Sequence, residues 1–405
     1  MRGLGSIRPK LSLRTLGVMI AGYAAFLQLY TTQPLLPLLK EEFHTDEVAV
    51  SLTITLASLG VAFGAPLAGT IADRIGRKKV IVASAFLVAF ISIPAAFAHT
   101  LGWLNVWRFL QGVCTPGVFS VTVAYVNDEW PRLEVGRGVS YYISGTVLGG
   151  FSGRTMSGLV AHYLPWRDVF LVVGALNLIC AFAVWRMLPD DQSTIRTSIP
   201  WDRWLHAAGS HLRNRSLLST YVVGFCVLFS LVGTYTYITF RLSEPPFSFP
   251  PSVLGAIFFT YVIGALLTPL AGRGVDRYGH RATLTVGIVS GICGVAITLL
   301  PWVWTIAIGL TLCCAGVFAA QAATNSFIGV TAKENRALAS GLYAAFYHTG
   351  GSVGAAVPGY FYQAGGWPAC AGFIAAVQTL TICIALRFWS GGREPEEHAQ
   401  LGEVD

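Results

Sequence analysis

The chain is short of charge. Only 12% of its 405 residues are Asp, Glu, Lys or Arg, about half the share of an ordinary soluble domain. All twenty acidic residues fall at the ends of long apolar runs, between them, or in the tails. No Asp/Glu pair is therefore buried where general acid–base catalysis would need one. No nucleophile–base spacing appears either, so an enzyme is the least favoured class. Cysteine is present but chemically mute. All eight cysteines lie within apolar runs, with no C-x-x-C pair and no Cys/His cluster, which leaves small packing residues rather than a metal site. No metal and no cofactor are expected.

What the chain has in abundance is apolar sequence: 54% hydrophobic residues and a mean hydropathy of +0.60. The runs are about 20 residues or longer, enough for helices to cross a ~30 Å hydrocarbon core. Strands of a barrel would alternate polar and apolar residues, and these runs do not. They predict spans over 14–39, 48–72, 80–98, 101–127, 138–164 and 168–188, then 216–240, 252–274, 282–300, 302–330, 339–362 and 367–389. The expected fold is an all-α membrane protein of about twelve transmembrane helices in two pseudo-symmetric six-helix bundles. Residues 1–188 form the first bundle, 189–215 a cytoplasmic linker, 216–390 the second bundle and 391–405 a cytoplasmic tail. The first run is too long for a signal-peptide core and is expected to remain as span 1. Trp201, Trp204 and Leu205 suggest a short amphipathic helix on the membrane surface.

A net charge of +7 raises a nucleic-acid partner, and the placement of the charge argues against one. With the N-terminus in the cytoplasm, 22 of the 27 basic residues (27 less Lys40, Arg108, Arg154, Arg167 and Arg241) sit at or near cytoplasmic ends. That asymmetry is the positive-inside pattern and puts both termini in the cytoplasm. The expected partners are the lipid bilayer and a small-molecule substrate, with no nucleic acid.

The halves look like copies of one unit. Pro66-Leu-Ala-Gly69-Thr-Ile-Ala-Asp73-Arg74-Ile-Gly76-Arg77-Lys78-Lys79 returns as Pro269-Leu-Ala-Gly272-Arg-Gly-Val-Asp276-Arg277-Tyr-Gly279-His280-Arg281-Ala, seven of fourteen positions identical at an offset of 203. A second echo pairs Gly149-Gly150-x-x-Gly153, Gly158 and Trp166 with Gly350-Gly351-x-x-Gly354, Gly359 and Trp367. Such small residues suit either close static packing or surfaces that slide past one another. Asp73 and Asp276 stand at cytoplasmic helix ends, where a carboxylate accepts loop amides or faces a positive helix N-terminus.

Arg108 and Arg154 are the only charges expected within the hydrocarbon region. An ionised group there costs at least ~2.5 kcal/mol on insertion scales, so each needs a reason. One reading is anion binding or coupling to a proton; the other is an arginine satisfied by main-chain carbonyls at a helix contact. Gln111 and Thr115 share the face of Arg108. His348 is the best mid-membrane titratable group, since histidine exchanges a proton near neutral pH; a neutral packing histidine beside Tyr347 is the other reading. Gln28, Thr31 and Thr32 on span 1, Tyr235 and Tyr237 on span 7, and Gln321, Thr324 and Asn325 on span 10 form a set suited to lining a largely apolar cavity.

The loop G-x-x-x-D-R-x-G-R-K-K after span 2 resembles the signature loop of the major facilitator superfamily. Arg108-Phe-Leu-Gln111-Gly112 resembles that superfamily's second motif. Tyr142-Ile-Ser-Gly145 through Gly153-Arg154, and Tyr237-Ile-Thr-Phe-Arg241-Leu followed by Pro245-Pro246-Phe247, are similar to bacterial efflux permeases of the YnfM-like (arabinose-efflux-like) group. Gly153-Arg154 departs from the Gly-Pro usual in drug/proton antiporters. The resemblance implies two bundles rocking around a central cavity, in a monomer of the bacterial inner membrane, most simply a proton-coupled exporter of a small organic compound. A facilitator or importer of an organic anion is the alternative. It also implies a gate: Asp73 docking near the start of span 11, with Gly69, Arg74, Gly76, Arg77 and Lys78, and Asp276 and Arg277 as their weaker copies.

Overall fold

The computed structural model describes residues 13–131, 134–191, 201–332 and 336–389, with the backbone alone for 201–205 and 336–337. Arg2, Arg8 and Lys10, most of the linker, the tail after 389 and the side chains of Trp201, Trp204 and Leu205 lie outside the described residues.

The elements are α1 (Leu13–Leu27), a 3₁₀ turn (Gln33–Leu35), α2 (Leu36–Glu42), α3 (Glu47–Ile75), α4 (Arg77–Ala96), α5 (Leu101–Glu129), α6 (Val135–Tyr163) and α7 (Trp166–Met187). There follow α8 (Trp201–Arg213), α9 (Arg215–Ser243), α10 (Pro251–Ala256), α11 (Phe259–Ile297), α12 (Val303–Thr331) and α13 (Arg336–Phe388). They make twelve spans. The first is α1, the turn and α2 in succession; α10 leads into α11; α11 folds into two arms at Gly279 and α13 into two at Gly365–Gly366. The linker's amphipathic helix corresponds to α8.

Local chemistry explains several boundaries. Asp46 caps α3 by accepting from the Ala49 amide, Thr100 caps α5 through Trp103, and Asn214 caps α9 through Ser216 and Leu217. In the repeated Asp-Arg-x-Gly loop, Gly76 (φ +100°) and Gly279 (φ +83°) both take the left-handed turn between adjacent spans. Only glycine enters that region without a steric penalty, which is why the copies share it. Span 1 was expected as one helix over 14–39. It is broken over Gln28–Thr32 instead, ahead of Pro34 and Pro37, which donate no main-chain hydrogen bond.

The glycine echo has a direct packing role. A Cβ at Gly149 would stand 2.1 Å from the Tyr23 carbonyl, and one at Gly350 2.1 Å from that of Phe225. Spans 1 and 5 thus touch backbone to backbone, and spans 7 and 11 repeat the contact. Between the halves, Thr55 and Ser352 exchange hydrogen bonds to each other's carbonyls at 3.1 and 2.8 Å, and Gln33 donates to Thr236 at 3.1 Å. Gly158 meets Pro251 and Gly255, and Gly359 meets Val48. These contacts seal the end carrying the α2–α3 and α9–α10 turns, and Phe119 of the first half meets His348 of the second at 5.5 Å. At the opposite end no hydrogen bond or ion pair joins the two halves among the described residues. The Asp73 side chain is 39% exposed, and a Cβ on Gly69 or Gly341 would meet no atom within 4 Å.

Candidate functional site

Arg108 projects from α5 and is fully buried. Its Nη1 donates to the Gln28 carbonyl at 2.9 Å and to Gln111 Oε1 at 2.7 Å, Nη2 to the Leu29 carbonyl, and Nε to the Thr53 carbonyl at 3.3 Å. Gln111 Nε2 in turn donates to Gln28 Oε1 at 2.7 Å and Ser92 Oγ at 3.1 Å, and Thr53 Oγ1 reaches Thr32 Oγ1 at 3.2 Å. Gln28, Thr32, Arg108 and Gln111 are thus brought together in one network, in which Gln28 Nε2 is left without an acceptor. Span 1 breaks here and releases main-chain carbonyls, and a guanidinium is the group that satisfies several of them at once.

Arg154 stands in a different setting. It projects from α6 at 3% exposure. Nε donates to Gln33 Oε1 at 2.8 Å and Nη1 to the Gly150 carbonyl at 2.7 Å; Nη2 donates to no described protein atom. The guanidinium carbon lies 4.5 Å from the Tyr30 ring centroid, 4.7 Å from that of Tyr261 and 5.0 Å from that of Phe258. The cage draws Tyr30 from the first half and Phe258 and Tyr261 from the second. Desolvated cation–π contacts contribute up to ~2 kcal/mol each, enough to offset part of the burial of the charge. Among the described residues no carboxylate is its partner. Around the cage, buried polar atoms lack hydrogen-bond partners: the hydroxyls of Tyr30 and Tyr261, with Ser58 and, farther along α13, Tyr343 and His348 Nδ1. Tyr347 packs on Tyr343 at 5.7 Å and on His348 at 5.6 Å. Unpaired buried groups each cost ~1–3 kcal/mol.

The remaining expected residues divide. Tyr235 is buried, with its hydroxyl on Thr260 and the Leu310 carbonyl, and its ring 5.3 Å from Phe258 and 4.7 Å from Tyr261; it backs the cage. Tyr237 donates to the Ala355 carbonyl at 2.6 Å and meets Ser51 at 3.3 Å, so it stitches the sealed seam. Gln321 is half-buried and Asn325 exposed. They follow Phe318 at helical spacing on α12, and Phe318 packs on Tyr261 at 6.0 Å. His348 is buried between Phe119 and Tyr347. Tyr30, Gln33, Phe258 and Tyr261 were not singled out from sequence. Tyrosine and phenylalanine are unremarked inside apolar runs, and the one available signal was that Arg154 needed partners.

The repeated loop is tied within its own half. Arg77 pairs with Asp128 at 2.6 Å, donates to the Ala124 carbonyl and lies 4.0 Å from Asp73. Lys78 pairs with Asp190 at 2.8 Å, and its amide donates to the Asp191 carboxylate. Lys78 therefore anchors α4 to the turn after α7, and Arg74 is exposed. In the second copy His280 meets Ser326 at 3.0 Å and Arg281 donates to the Leu386 carbonyl. Asp276 and Arg277 are exposed. Among the described residues Asp73 makes no bond to α13.

A sequence profile of the Major Facilitator Superfamily matches residues 18–326 and 244–405. The chain belongs to the major facilitator superfamily. It is a multi-pass membrane protein and a secondary transporter, not an enzyme. Among curated relatives, the uncharacterized MFS-type transporter YybF of Bacillus subtilis is 30% identical over 378 residues, 93% of this chain and 92% of that protein. The inner membrane transport protein YnfM of Escherichia coli is 30% identical over 373 residues, 92% and 89% of the two. Of solved structures, the nucleoside transporter NupG superposes with a TM-score of 0.78 at 14% identity, covering 93% of this chain and all of that one. An inward-facing bacterial homologue of the human lysosomal transporter Spinster gives 0.71 at 16% identity, covering 96% and all. The last two establish the fold of this superfamily member and nothing of its substrate.

Proposed function

We propose that this transporter moves a small organic anion across the bacterial inner membrane by alternating access, with Arg154 as the charge anchor. The observation that carries the reading is a buried guanidinium, gripped from both halves and without a carboxylate partner among the described residues. An anion supplies the missing charge, and separating the halves would take Phe258 and Tyr261 away from it. Cytoplasmic termini are supported by the distribution of Lys and Arg. With that orientation the open end faces inward, and Asp73, freed there, would meet the start of α13 when the inner side closes. Gly69, Gly76, Asp276 and Arg277 belong to the same gate.

Export coupled to an inward proton is the direction we favour, on the resemblance to efflux permeases and on His348, whose Nδ1 is buried without a partner. Facilitated or inward movement is the second reading. It is favoured by the absence of any Asp or Glu from the interiors of the spans, since a carboxylate is the usual proton carrier. The test is flux in proteoliposomes holding purified protein. Arg154→Gln should abolish flux of organic anions while the protein stays folded, and retained flux overturns the anchor. Collapse of an imposed pH gradient should stop transport; if the rate is unchanged, coupling to a proton is wrong and facilitation stands. His348→Ala should flatten the pH profile.

A further inference from the structure

Resting on the reading of Arg154 as anchor, we infer that the transported anion is a monocarboxylate with a planar, aromatic body. Charge is the first argument. The cage holds one cation, Arg154, while the donors of Arg108 are turned away from it onto the carbonyls of Gln28, Leu29 and Thr53. One negative charge leaves the buried site neutral, whereas a dianion would leave net charge where desolvation is costly.

Geometry is the second. Three rings stand over the guanidinium, and Nε and Nη1 are engaged, so the edge at Nη2 is what remains for a ligand. A flat carboxylate pairs with a guanidinium in its own plane. Its second oxygen has a donor at hand in the unpaired hydroxyl of Tyr261, while that of Tyr30 lies beside Ser58. A phosphate or sulfate would need more donors than the cage has. A polyol would need free amide partners, but Gln33 is occupied at both ends, by Arg154 and by Thr236.

The walls are the third. Tyr261 continues the aromatic wall to Phe318, 6.0 Å away, and aromatic side chains favour a ring they meet edge-on or offset. An organic cation is excluded by the same arginine.

Binding to the full-length transporter in nanodiscs, read by calorimetry and by thermal shift, tests this. The probes are benzoate, cyclohexanecarboxylate, phthalate and inorganic phosphate. Benzoate should bind roughly tenfold tighter than cyclohexanecarboxylate and at least about tenfold tighter than phthalate or phosphate. Arg154→Gln should lose benzoate binding, and Arg154→Lys should weaken it while keeping the protein folded. Tyr261→Leu should narrow the preference for benzoate over cyclohexanecarboxylate. If all the probes bind alike but need Arg154, or if phosphate or phthalate binds best through Arg154, the aromatic monocarboxylate is wrong and the anion anchor survives. If benzoate binds Arg154→Gln as it binds the parent, or if no anion binds the parent at all, both fall.

Discussion

The two halves share a scaffold and differ at its centre. In each, a pair of glycines brings the fifth helix onto the backbone of the first: Gly149 and Gly153 against Tyr23 and Leu27, Gly350 and Gly354 against Phe225 and Phe229. In the first half the opposing helix is broken over Gln28–Thr32 and the residue after Gly153 is Arg154. In the second, α9 runs unbroken from Arg215 to Ser243 and the residue after Gly354 is Ala355. Duplication thus preserved the packing, while the break, both buried arginines and the tightly paired loop belong to the first copy. The second half supplies Phe258 and Tyr261, the surfaces on which the first half's charge rests.

Removing Arg108 should break that asymmetry most severely. Arg108→Leu strands the carbonyls of Gln28 and Leu29, at ~1–3 kcal/mol each, and should show as a large fall in melting temperature and yield. Thr311 stands 203 positions on, and its hydroxyl bonds within its own helix to the Ala307 carbonyl. Thr311→Val should change little, and an equal loss there would remove the claim that the halves differ in this way.

Next come the shared contacts. A Cβ at Gly153 would lie 1.9 Å from the Leu27 carbonyl, and one at Gly354 2.4 Å from that of Phe229. Each alanine should cost ~1–3 kcal/mol of overpacking, Gly153→Ala the more. Gly272→Ala meets no atom within 4 Å and serves as the silent control in the same melting series.

The loops sharpen the comparison through transport rather than stability. Asp73→Asn should remove most of the flux with an unchanged melting temperature, and Asp276→Asn should leave most of it. Comparable flux in both variants would take the gate away from the first copy.

The smallest effect is expected at Asp190. Its bond to Lys78 holds its carboxyl below the usual carboxylate range. A carboxyl whose folded value is lowered contributes stability above its unfolded value of ~3.9, and loses it as pH falls through the folded value. Asp190→Asn should therefore lower the melting temperature slightly near neutrality and not at all in strong acid. A penalty that persists in acid would mean that Asp190 acts through something other than Lys78.

Much of the fold was legible because membrane helices announce themselves by length and by the charge between them. The turn glycines were legible too, since Gly76 and Gly279 recur where φ is positive. The break in span 1 was missed although Pro34 and Pro37 stand beside it, because a proline near a helix end is compatible with an unbroken span. Arg108 and Arg154 were conspicuous for one shared reason, charge in an apolar run, yet they play different parts. One is enclosed by carbonyls of its own half; the other is held by rings from both. Tyr235 and Tyr237, two residues apart, were taken together as cavity residues. Being near-opposite on a helix, they pack in different places, behind the cage and along the seam.

Composition and repeat were enough to establish a duplicated, multi-span membrane protein, because the cost of burying charge and unpaired backbone in lipid leaves few alternatives; transport was implied by the resemblance of its loops to a known superfamily. It took the folded chain to separate the two arginines, one among carbonyls and the other among rings. Tyr30, Gln33, Arg154, Phe258 and Tyr261 are distant in the chain and ordinary one by one. Their meaning comes from the few ångströms that separate them once the two halves close on each other.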